Sequence, residues 1–135
     1  MTKGQVRLTK NLTHLNVAIS LAYLLFRYFI KKQTPFGEES YDIQKVFQYL
    51  HIMTVPLLVF IFGLVWYVHI SPKIISGSKK KLTSGLYLLT AFVVMILSGY
   101  LIQMPFFVGV SLVGVLHSIV GGLWVVIFYL HVYKK

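Results

Sequence analysis

His117 and His131 are the residues of this chain whose type and spacing most directly suggest chemistry. They lie in the apolar run SLVGVLHSIVGGLWVVIFYLHVY, residues 111–133, long enough to cross a bilayer, which takes about 20 residues. Fourteen residues separate them (131 − 117), about four helical turns, so on a helix they share a face roughly 21 Å apart. Gly114, His117, Gly121, Trp124, Phe128 and His131 follow at steps of three, four, three, four and three, which is one helical stripe. Glycine one turn to either side of His117 removes the Cβ there, so a flat, bulky ligand can lie against the backbone. Polar groups in hydrocarbon are costly and point to function. Two imidazoles that each face a disc-shaped space are what two stacked haems require. The plainer alternative makes His131 an interfacial residue beside Lys134 and Lys135 and gives the glycines to helix packing.

Composition narrows the field. At 135 residues the chain is one transmembrane domain by length, residues 1–135. It is 57% hydrophobic and 12% charged, which excludes an ordinary soluble domain and places it in a membrane. It has no cysteine, so disulfides, iron–sulfur clusters, thiolate catalysis and covalent c-type haem attachment are all excluded. The formal charge of +10 does not imply nucleic acid. The basic residues flank apolar segments, where anionic headgroups and the positive-inside rule account for them.

Apolar runs predict four helices, at about 12–30, 43–70, 83–103 and 107–133, an all-α integral membrane four-helix bundle. Residues 1–10 read as a basic tail. No small-x-small cleavage site follows the first apolar run, so it reads as a retained helix and not a signal peptide. Residues 31–42, with Pro35, Gly37, Glu38, Glu39 and Asp42, read as a loop, with Ser40 or Asp42 able to cap the second helix. Pro56 is expected to kink that helix. Residues 71–82 read as a short basic loop, and 103–105 as a tight turn. The N-terminal tail, the second loop and the C-terminus hold Lys3, Arg7, Lys10, Lys73, Lys79, Lys80, Lys81, Lys134 and Lys135 with no acid. All three acids lie in the first loop. Both termini are therefore expected to be cytoplasmic.

That topology sorts the five histidines into two levels. His51 and His117 lie toward the outer side; His14, His69 and His131 lie toward the inner side. Each level has the two imidazoles that axial ligation of a haem iron needs. Imidazole also suits zinc or copper, but no carboxylate or thiolate stands ready to complete such a site.

In helix number, topology and histidine placement the chain resembles the four-helix di-haem cytochrome b subunits of bacterial membrane oxidoreductases. That family includes the gamma subunit of formate dehydrogenase and the cytochrome b of nickel–iron hydrogenases. The resemblance implies two haem b groups, an outer one on His51 and His117 and an inner one on His14 and His131, with Gly114 and Gly121 packing against them. It implies electron transfer across the inner cell membrane, a quinone exchanging electrons near one haem, and partner subunits of a redox complex. His69 is extra to the pattern. It is eighteen residues from His51 (69 − 51), a rise of roughly 27 Å against roughly 21 Å for the later pair. That mismatch favours His14 as the inner ligand, with His69 the alternative or a quinone contact. Arg27 either pairs with a haem propionate or snorkels to the interface. The rival reading is a haem-free four-helix membrane protein that anchors or assembles a larger complex.

Overall fold

The computed structural model describes residues 1–77, 82–104 and 110–133. The expected turn at Pro105, the start of the last helix near 107, and Lys79, Lys80, Lys81, Lys134 and Lys135 lie outside the described residues. Four helical stretches are long and apolar enough to cross a membrane: Lys3–Phe29, Ile43–Ile75, Leu82–Gln103 and Ser111–Tyr133. Only 11% of the apolar window in each is buried within the protein. Leu21, Leu57, Phe60, Leu97, Leu112 and Leu130 all face outward, a surface suited to lipid and the make-up of a multi-pass membrane protein. The chain divides into two units, Met1–Pro72 and Lys73–Lys135.

In the first unit α1 spans Lys3–Leu24, so most of the expected tail is helical. The cause is a capping box: Gln5 N donates to Thr2 Oγ1 (3.2 Å) and Thr2 N donates to Gln5 Oε1 (2.8 Å), which satisfies two end donors reciprocally. A π-helical turn, Leu25–Phe29, ends the stretch. The expected loop is instead a hairpin, β1 (Lys31–Thr34) paired antiparallel with β2 (Gly37–Ser40). Pro35 and Phe36 form its turn, and Gly37 supplies a φ of 112° that side chains with a Cβ resist. Polar cross-strand contacts hold it: Lys31 Nζ donates to Ser40 Oγ (2.7 Å), Gln33 Nε2 donates to Glu38 Oε1 (2.9 Å), and Lys32 pairs with Glu39 at 3.7 Å.

The helix α2 (Ile43–Val65) runs on through Pro56. A second π-helical turn (Trp66–Ile70) joins it to α3 (Ser71–Ile75), where a loop was expected. The 33-residue stretch is about 50 Å long, more than the roughly 30 Å of hydrocarbon in a bilayer. Asp42 holds the N-cap position of α2 without a side-chain cap bond; its carboxylate lies 3.7 Å from Lys45 Nζ instead. Contacts of Ser20 with His51 and Asn16 with Thr54 show α1 and α2 to be antiparallel. Their interface is polar. Thr13, Asn16 and Gln44 are buried in it beside Leu58 and Ile61.

In the second unit α4 (Leu82–Gln103) and α5 (Val110–Tyr133) are also antiparallel. Leu88 and Phe92 of α4 meet Trp124 and Phe128 of α5 in a buried cluster. Phe92 lies 5.9 Å from Trp124 between ring centroids, and Trp124 lies 5.3 Å from Phe128.

Candidate functional site

The stripe predicted on the last helix faces α4. His117 meets Ser98, and the Cβ that Gly121 lacks would lie 3.6 Å from Met95 Sδ. Trp124 reaches Leu88, and His131 meets Ser84. Trp124 and Phe128, between the two imidazoles, are packing residues. A Cβ at Gly114 would meet nothing within 4 Å. The glycines that do lie against imidazole are on α4: a Cβ on Gly99 would sit 3.5 Å from His117 Cε1, and one on Gly85 would sit 3.6 Å from His131 Cε1.

The two histidines are held alike. His117 Nδ1 is 2.8 Å from Ser98 Oγ, and His131 Nδ1 is 2.8 Å from Ser84 Oγ. Ser84-Gly85 and Ser98-Gly99 are themselves fourteen residues apart (98 − 84), as His117 and His131 are (131 − 117). The antiparallel register thus repeats one contact at two levels. Neither serine was read from the sequence as a partner of these histidines. The equal spacing was the signal that could have found both.

For His117 the proton can be placed. Ser98 Oγ lies 2.7 Å from the Val94 carbonyl oxygen, a separation that needs a proton between the two oxygens. The hydroxyl has one proton to give. It therefore donates to Val94 and accepts from His117 Nδ1–H. In the first unit Ser20 Oγ donates to the Asn16 carbonyl at 2.7 Å and lies 2.9 Å from His51 Nδ1. By the same reasoning His51 is Nδ1–H. In both rings the lone pair then resides on Nε2, the nitrogen able to accept or to ligate a metal. Around Ser20, Asn16 Nδ2 donates to Thr54 Oγ1 (2.9 Å), which donates to the Leu50 carbonyl (2.9 Å).

The remaining predicted residues are less alike. His14 is half-buried on α1, one residue beyond the buried Thr13. It precedes Ser20 by six residues (20 − 14), a rise of roughly 9 Å. His69 lies in the second π-helical turn, so eighteen residues from His51 no longer amount to five whole turns. Arg27, in the first π-helical turn, donates from Nη1 to Tyr23 Oη (3.0 Å) and lies over the rings of Tyr23 and Tyr28 (5.8 and 5.7 Å to the centroids). Among the described residues no three of His, Cys, Asp or Glu gather as a metal site. Haem iron asks for only two imidazoles, and rings that carry their lone pair on Nε2 fit it.

Compared with protein-family models, with curated proteins and with solved structures, the chain has no significant match.

Proposed function

We propose that the chain is a di-haem b-type cytochrome subunit of an inner-membrane redox complex, both termini cytoplasmic, carrying electrons across the bilayer between a quinone and a partner subunit. The observation that carries this reading is the held imidazole. His51 and His117 stand between helices of membrane-spanning length, each with Nδ1–H donated to a serine that is itself anchored to its helix backbone. A buried packing histidine also pairs its N–H, but an axial ligand gains orientation and basicity from a serine held in this way. Bound haem would supply a one-electron iron couple. The chain's residues would hold the Nδ1 protons, orient the rings and exclude water. Axial ligation by His51 with His117 is kept from the family resemblance. His131 is the third ligand, with His14 or His69 the fourth.

The test is a reduced-minus-oxidised absorption spectrum of the purified full chain from haem-replete cells, with haem quantified per polypeptide. About two low-spin haems per chain are expected from four imidazole ligands. A flat difference spectrum would end the cytochrome reading in favour of a haem-free anchor.

A further inference from the structure

We propose that Ser84-Gly85 and Ser98-Gly99 on α4 are two copies of one positioning device, which sets the tautomer and seating of His131 and His117. The inference rests on the cytochrome reading for its iron, but its geometry does not. In each copy a serine hydroxyl lies 2.8 Å from imidazole Nδ1. In each copy the next residue is glycine, with room for a Cβ only in plain contact with Cε1, at 3.6 or 3.5 Å. A side chain reaching beyond Cβ would meet the ring. At Ser98, whose own proton goes to the Val94 carbonyl, the serine fixes which nitrogen carries the proton, and in both copies the glycine fixes how close the ring lies to the α4 backbone. The equal spacing on both helices makes the two copies equivalent. α4, which has no histidine, is thus as much a part of both sites as α5.

Serine as acceptor of Nδ1–H makes the imidazole the better electron donor, and a better donor favours ferric over ferrous iron. Removing the acceptor should raise the midpoint potential of the haem at that level and leave the other unchanged. Two readouts on the full chain separate the device from the haem. The first is ¹⁵N NMR of the histidine side chains in chain purified from haem-limited cells. His117 and His131 should be Nδ1–H, Ser98→Ala should move only His117 toward Nε2–H, and Ser84→Ala should move only His131. The second is redox titration of the haem-loaded chain. Ser98→Ala and Ser84→Ala should each raise the potential of one haem, a different one in each, while Ser98→Thr keeps the wild-type value. Gly99→Ala should retain both haems and Gly99→Val should lose one. An unchanged His117 tautomer in Ser98→Ala would overturn the device. Tautomer shifts in a chain that binds no haem would keep the device and overturn the cytochrome.

Discussion

Trp124 of α5 donates its indole N–H to the backbone carbonyl of Leu88 on α4, at 3.1 Å. The bond lies between the two serine–histidine contacts, so it helps lock the register on which both depend. Two contributions meet in one residue, and two substitutions separate them. Trp124→Phe removes the hydrogen bond, worth roughly 0.6 kcal/mol between membrane helices. Trp124→Ala also empties a site where the residue is 8% exposed, and loss of a buried Trp costs about 3–5 kcal/mol. Unfolding in mixed micelles should therefore show a small loss for Trp124→Phe and a several-fold larger one for Trp124→Ala. Equal losses would mean that the hydrogen bond, not the ring, holds the register.

The hairpin makes a local prediction. Gly37 holds a φ of 112°, a conformation that costs a residue with a Cβ about 1–3 kcal/mol. A Cβ there would meet no atom within 4 Å, so the penalty is backbone strain and not crowding. Gly37→Val should speed amide exchange across Lys31–Ser40 and leave α1 and α2 unchanged. Protection that persists across the hairpin would show that the side-chain pairs hold it without the turn.

How much could be read beforehand depended on the physics behind each element. Hydrophobic runs placed the four long helices, because only length and apolarity decide whether a segment can span a bilayer. The start of α1 was misplaced although Thr2 and Gln5 spell a capping box, since the basic residues around them read as a tail. The hairpin was invisible because KKQT and GEES carry little β-branched or alternating apolar signal; cross-strand side-chain pairs hold it instead. The glycines on the histidine stripe pointed to space for a flat ligand beside His117; the glycines that lie against the imidazoles are Gly85 and Gly99, on the opposite helix. Which face of α5 meets α4, and at what register, is a tertiary fact that one helix cannot disclose.

The fourth haem ligand is the last prediction. Two haems on four imidazoles need ligand separations on one helix pair that match those on the other. His117 and His131 are fourteen residues apart (131 − 117), roughly 21 Å. In the first unit Ser20 marks the level of His51. His14 lies six residues from Ser20 (20 − 14), roughly 9 Å, which is about 12 Å short. His69 lies eighteen residues from His51 (69 − 51), roughly 27 Å, which is about 6 Å too far and takes a tilt of about 40°, the extreme of the usual range, to absorb. The preference for His14 came from the mismatch of His69, roughly 27 Å against roughly 21 Å, and from the family resemblance. With α1 starting at Lys3, His14 lies well inside it. His69 lies in the π-helical turn Trp66–Ile70, and such turns are frequent at functional sites. Haem content of His14→Ala and His69→Ala chains, each extracted in mild detergent, decides between them. The rise along the helices predicts loss of one haem from His69→Ala and retention of both in His14→Ala. The reverse result would return the inner site to His14, the ligand the family resemblance implies.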